Sequence, residues 1–329
     1  VTNMSYIFSE TNIFNQPLNN WNVSKVTNMS YIFSETNIFN QPLNNWNVSK
    51  VTNMSYIFSE TNIFNQPLES WNVLKVTNMQ SMFWSAKIFN QPLNNWNVSK
   101  VTSMNNMFSD GTNIFNQPLN NWNVSKVNDM SFMFYGATSF NQPLKSWNVL
   151  NVTNMGGMFQ MATNFNQPLE SWNVSKANNM AYMFYGTPFN QPLKSWNVLN
   201  VTDMSFMFNN VTSFNQDLST WKTGISKSVD IVNFACNAPI LFNPNYYPKS
   251  ASNKAFKSAD LNCNTSDNIH DYVNNYLQYL GQGNRKSAII YYGDMKGWNT
   301  SNVTDMNNLF ANFDHYNSLE GQSKGNYLK

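Results

Sequence analysis

The sequence predicts a solenoid of about nine stacked coils of some 25 residues each, built from a short strand, a turn of helix and a corner. Three observations predict it. Trp21, Trp46, Trp71, Trp96, Trp122, Trp147, Trp172, Trp196 and Trp221 recur at intervals of 25, 25, 25, 26, 25, 25, 24 and 25. Residues 1–25 and 26–50 are identical, and 51–68 copy them again. Within each copy the apolar positions keep one order, so stacked copies bury a continuous column that a single copy cannot bury alone.

Residues 43–68 justify the elements in turn. Trp46 and Val48 alternate around Asn47, which predicts a strand with Asn47 and Ser49 facing outward. Val51, Met54, Ile57 and Phe58 are spaced i, i+3, i+6, i+7, which predicts a short helical or 3₁₀ turn. Phe64-Asn65-Gln66-Pro67-Leu68 makes the return, because Pro67 cannot continue a ladder. At strand spacing, nine coils give a rod on the order of 40 Å long. Asn65 and its equivalents, between a core Phe and a Pro, are expected to pair their amides in buried ladders up the stack. The Trp column from Trp21 to Trp221 is expected to be core throughout.

Composition excludes several classes. The 329 residues carry a net charge of +2 with only 11% charged, so no electrostatic footprint for nucleic acid is present. No run of 18 apolar residues exists, so no membrane span is expected in this segment. A content of 42% hydrophobic and 16% aromatic residues suffices for a large core, with polarity supplied by Asn, Ser, Thr and Gln. The chain begins at Val1 with no signal-peptide pattern, as expected of a mature or cut form.

The pattern L-x-x-W-N-V-S-x-V-T-x-M-x-x-M-F-x-x-A-x-x-F-N-Q-P, in register through residues 1–225, resembles the repeats of BspA-like surface proteins. The acidic residue usual after Trp in that family is Asn here, at Asn22, Asn47 and Asn72. The resemblance implies a β-solenoid of leucine-rich-repeat-like type, an extracellular or cell-surface (or virion-surface) setting, adhesion or scaffolding, and no catalytic activity.

Beyond the array, the period is expected to stop after 225, and residues 226–265 are expected to cap the last layer. Cys236 and Cys263 lie outside the repeats and are a candidate disulfide, worth roughly 3–4 kcal/mol in the chain-entropy model. Residues 266–295 hold one amphipathic helix, 266–280, ended by Gly281. Residues 296–329 start a further repeat, with Trp298, Val303, Met306, Leu309 and Phe310 restoring the pattern. Joining Lys329 to Val1 gives NYLK-VTNM, close to NVLK-VTNM at residues 72–79. The expectation is a head-to-tail contact in which residues 266–329 of one chain cover the first repeat of the next. Its interface comprises Val1, Met4, Trp298, Val303, Met306, Tyr327 and Leu328. A longer tandem protein, joined covalently at the same point, explains the match equally well.

No catalytic constellation, cofactor motif or metal set is found. His270 and His315 are the only histidines and lack a partner at a recognisable spacing. Glu10, Glu35 and Glu60 recur at the period of 25 and are expected to be exposed, with at most a weak attraction for a cation. Asn22, Asn47, Asn97, Asn123 and Asn173 head N-V-S sequons and mark the expected binding or glycan face, followed by Lys25, Lys50, Lys75, Lys100 and Lys126. Two functions are expected from these features. The first is a non-enzymatic extracellular structural protein whose units join head to tail into a filament, its partner being a second copy of itself. The other is a monomeric surface adhesin that holds a glycan or host surface protein on the Asn/Ser/Lys face.

Overall fold

The computed structural model describes residues 1–110, 114–222, 229–231, 233–238, 240 and 246–248. The coils stack as one solenoid around a continuous core of Val, Met, Ile, Phe, Leu and Trp. Three walls stitch each coil to its neighbours by three different kinds of bond.

The first wall is backbone. A column of parallel bridges runs through Asn3, Asn28, Asn53, Asn78, Ser103, Asp129, Asn154, Asn179, Asp203 and Asp230. From there the N–H groups of Met29, Tyr31, Phe33 and Glu35 donate to the carbonyls of Asn53, Ser55, Ile57 and Ser59 in the next coil, at 2.9–3.0 Å. This period-2 bonding is that of a parallel sheet, yet the dihedrals are not those of strands. The Met54 carbonyl accepts the Ile57 N–H and the Phe58 carbonyl accepts the Thr61 N–H, closing two four-residue turns. Their third residues, Tyr56 and Glu60, have φ of +58° and +56°, the mark of type II turns.

Two expectations change here. Residues 51–58 form no helix: the N–H groups of Met54, Tyr56 and Phe58 reach along the stack to the next coil, those of Thr52 and Asn53 to the preceding one, and none bonds back by four residues. Consecutive turns still carry Met54, Ile57 and Phe58 to the inside, which is why the spacing imitated a helix. Residues 46–48 form no strand either. The Trp46 N–H bonds the Leu43 carbonyl and the Val51 N–H bonds the Val48 carbonyl, both within the coil. The predicted alternation survives in burial, since Trp46 and Val48 are buried and Asn47 is exposed. The inter-coil ladder sits at Asn53 instead.

The second wall is made of side chains. Asn40 Oδ1 accepts the Asn65 N–H and Gln66 Nε2, each at 3.0 Å. The same double acceptance links Asn15 to coil two and recurs at Asn65, Asn90, Asn116, Asn141, Asn166 and Asn190. The expected ladder at Asn65 therefore exists but pairs amide oxygen with backbone N–H and Gln, and it is half-buried. Amides do pair directly from Asn62 to Asn37 and from Asn37 to Asn12, at 2.5 and 2.6 Å.

The third wall is the tryptophan column. Each indole Nε1 from Trp46 to Trp221 donates to a Leu carbonyl of the preceding coil, as Trp46 does to Leu18 at 2.8 Å. This resolves the one polar atom of a ring that is otherwise core. Trp21 departs from expectation. It is 44% exposed against 0–3% for the others, because no layer covers its side of the first coil.

Inside the walls two phenylalanine columns run the length of the stack. Phe8, Phe33, Phe58, Phe83, Phe108, Phe134, Phe159, Phe184 and Phe208 stack at 5.5–5.9 Å between centroids. Each also stacks on its coil's second Phe, as Phe33 does on Phe39 at 4.1 Å. Asp230 and Phe234, in the segment assigned by sequence to the cap, carry the ladder one layer further: the Asp230 N–H bonds the Thr202 carbonyl and the Phe208 N–H bonds the Phe234 carbonyl. There Phe234 turns edge-on to Phe208, at 82°, and the parallel stack ends.

Candidate functional site

In the segment Trp-Asn-Val-Ser-Lys, Trp and Val point in while Asn and Lys point out, so each of the first five coils contributes one Asn and one Lys to a common outer face. In coils one to five these are Asn22, Asn47, Asn72, Asn97 and Asn123, and Lys25, Lys50, Lys75, Lys100 and Lys126, all exposed. The Asn side chains are oriented by local bonds. Asn47 Oδ1 accepts the Ser49 N–H at 3.2 Å and the Ser49 hydroxyl at 2.6 Å. Asn97, Asn123 and Asn173 accept the same backbone N–H from Ser99, Ser125 and Ser175. This Asx turn fixes the oxygen toward the chain, leaving Nδ2 as the group each Asn presents.

Where coil four meets the 26-residue coil five, this face deepens into an open groove of about 450 Å³ lined by Asn94, Asn95, Trp96, Asn97, Ser99, Asn121 and Asn123. The lining is uncharged. Asn94 Oδ1 holds the Asn121 N–H at 3.0 Å, and Asn95 Nδ2 reaches Glu69 Oε1 at 2.5 Å. The groove thus offers amide and hydroxyl groups suited to a neutral, hydroxyl-rich ligand.

Acidic residues form a separate column at the second turn: Glu10, Glu35, Glu60 and Asp110, with Ser85 at the equivalent place in coil four. Glu10 and Glu35 are exposed as expected, whereas Glu60 is half-buried. Burial, and then the charges of Glu35 and Asp110, hold its carboxyl above the usual carboxylate range. Among the described residues no group of three or more His, Cys, Asp or Glu is placed to hold a metal ion. No helix among them is long and apolar enough to cross a membrane. The Lys194–Asp217 pair, at 2.9 Å, joins two half-exposed side chains. With the Ser219 hydroxyl and N–H, Lys194 lowers the Asp217 carboxyl to about 2.

Of the expected assembly residues, Val1 is 87% exposed but Met4 is buried at 5%. Met4 lies at the first bridge, with its N–H bonded to the Asn28 carbonyl, so coil two covers it. Trp298, Val303, Met306, Tyr327 and Leu328 lie outside the described residues, as do Leu309, Phe310, His270, His315, Cys263 and the helix expected at 266–280. Cys236 is buried, and its expected disulfide partner Cys263 lies outside the described residues.

One column was not singled out by sequence: Ile13, Ile38, Ile63, Ile88 and Ile114, three to four residues beyond the acidic column, are 39–91% exposed. Its signal was the persistence of Ile just before the corner Phe in five successive copies and its loss afterward, to Ser139, Asn164 and Ser213.

No curated protein and no solved structure gives a significant match to this chain. A family pattern does match, over residues 1–91, 66–167, 144–245 and 281–322, which is most of the sequence. The first three matches tile the stacked coils described above, and the chain belongs to the family described as "Mycoplasma protein of unknown function, DUF285".

Proposed function

We propose that the chain is a non-enzymatic structural protein of the cell surface, kin to BspA-like and leucine-rich-repeat-like proteins, whose solenoid extends by end-to-end stacking. One observation carries this reading. The interfaces between coils all use one set of contacts, an indole N–H on a Leu carbonyl, a Phe-on-Phe stack and the parallel bridge, and Trp21, Phe8 and Phe14 of coil one belong to that same set. Any coil that repeats the pattern fits against them, and residues 266–329 of a second chain supply one in this proposal. A head-to-tail contact of this kind does not close on itself and generates a filament. A Cys236–Cys263 disulfide, expected from the sequence, belongs with this oxidising, extracytoplasmic setting.

Electron microscopy of the purified chain tests the reading. Filaments with an axial repeat of one chain are expected, and Trp21→Asp is expected to disperse them. Monomers in the unmodified protein would overturn it. A second reading, a surface adhesin, is favoured by the uncharged groove at Asn94–Asn123. Binding of neutral oligosaccharides that is lost on replacing Asn97 and Asn123 with bulky Leu would support it over the first.

A further inference from the structure

We infer that coils one to five carry a lateral self-association surface, on which the lysine column of one solenoid docks against the acidic and isoleucine columns of a second copy. The inference goes beyond end-to-end growth: it concerns the sides of the rod and not its ends.

Three columns, exposed except at half-buried Glu60, are confined mainly to the same five coils. Lys25, Lys50, Lys75, Lys100 and Lys126 stand in successive coils; the next three equivalents are Asn151, Lys176 and Asn200. Glu10, Glu35, Glu60 and Asp110 are followed by Gly136, Met161, Gly186 and Asn210. Ile13, Ile38, Ile63, Ile88 and Ile114 end there too. None of the five lysines has an ion pair or side-chain hydrogen bond among the described residues. By contrast, Lys176 donates to Asn151 Oδ1 at 2.8 Å and Lys194 pairs with Asp217. The lysines and carboxylates occupy separate columns, so the charge of each row is left for something outside the chain.

A second copy fits better than any other occupant. Both rows are built on the same bridge column, so their axial spacing is equal by construction, near the 4.8 Å of adjacent strands. Lysines of one rod therefore meet carboxylates of another in register in four of the five layers, the fourth layer presenting Ser85 instead. The apolar rows match as well. An exposed Thr column, Thr2, Thr27, Thr52, Thr77 and Thr102, flanks the lysines, and each hydroxyl after the first turns inward to the preceding coil's Thr carbonyl. Thr methyls and lysine stems can cover the Ile column that flanks the carboxylates. With a net charge of only +2, the whole chain is no general polyanion binder.

The test uses the full chain with two variant sets. One carries Lys→Glu at 25, 50, 75, 100 and 126, and the other carries Glu10→Lys, Glu35→Lys, Glu60→Lys and Asp110→Lys. Small-angle scattering reads the cross-section of the particles, which lateral pairing enlarges and end stacking leaves unchanged. The wild type is expected to pair laterally at low salt and separate at about 1 M, where screening acts within about 3 Å. Each variant alone should lose pairing, and an equimolar mixture should recover it at least tenfold more tightly than either alone. Should a charge-reversed set fail to fold, Lys→Gln and Glu→Gln sets replace it, with loss of pairing as the expected result. Pairing that survives in either set, or a wild type of unchanged cross-section at low salt, overturns the inference. So does a wild type that binds a linear sulfated polysaccharide through the lysines without pairing to itself.

Discussion

Two residues of every coil sit in the left-handed backbone region, and only Gly136, Gly157 and Gly186 among them are glycine. Tyr31, Glu35, Tyr56, Glu60, Phe132 and Phe206 hold φ between +55° and +59°. A side chain there costs about 1 kcal/mol or more. The stacked bonds made on either side over-determine the conformation, as with the Glu35 N–H on the Ser59 carbonyl. Glu60→Gly should therefore raise stability by about 1 kcal/mol, since it removes both the strain and a carboxylate crowded by Glu35 and Asp110. A higher denaturation midpoint checks it. Gly157→Ala should lower stability, because its Cβ would stand 2.4 Å from the Phe132 ring. In a Phe132→Ala background the clash term should vanish and only the φ cost remain. Tyr31 offers a pH test. Burial, then the neighbouring phenols of Tyr56 and Tyr6, push its hydroxyl up to about 12. The unfolded chain ionises near 10, so it loses the proton first, and stability should fall as pH rises from about 10 to about 12. Tyrosinate absorbance should show Tyr31 titrating late, together with buried Tyr247, and Tyr56→Phe should bring the Tyr31 phenol earlier.

At the scale of the coil, side chains replace backbone where the corner carries Pro. Asn141 Oδ1 takes the Asn166 N–H and Gln167 Nε2, both at 3.0 Å. Asn141→Ala should cost roughly 1–3 kcal/mol, because it strands a half-buried N–H as well as the Gln amide. Asn141→Asp keeps the acceptor and should lose less; chemical denaturation of the two variants measures the difference. The importance of this Asn was readable from its recurrence between Phe and Pro, but its partners were not. A repeat shows which positions share a column; it does not show that Oδ1 faces a backbone N–H. The core column was legible because Trp46, Val48, Met54 and Phe58 must all point inward in any stack. The turn chemistry was not, since nothing in Ser-Tyr-Ile or Ser-Glu-Thr signals positive φ without Gly. The unpaired lysine row was visible as a period, and its cost becomes clear only with stacking: neighbours about 5 Å apart repel by about 1 kcal/mol even in water.

For the whole molecule, each coil touches only its two neighbours, so stability should be a sum of like interfaces and not the property of one centre. The bonds between coils are the same set throughout: the bridge, the alternate N–H groups, the Asn acceptor and the indole. Removing residues 127–151 joins Lys126 to Val152 and restores the motif NVSK-VTNM. Coil seven then rests on coil five: Asn106 replaces Phe132 above Gly157, Phe108 replaces Phe134 against Phe159, and Trp122 replaces Trp147 beneath Trp172. Asn116 Oδ1 takes over from Asn141 as the acceptor for Asn166 and Gln167. The shortened protein should fold with an unchanged far-ultraviolet spectrum per residue and a modestly lower denaturation midpoint, since one interface of many is lost. Removing residues 127–138, about half a coil, should instead be ruinous. It would set the 139–151 corner against the turn wall of coil five, placing polar Gln142, Lys145 and Ser146 where Met130, Met133 and Phe134 belong. Circular dichroism and calorimetry of the two deletions compare these outcomes directly. A half-coil deletion as stable as the whole-coil deletion would show that the coils do not depend on register, contrary to every bond between them.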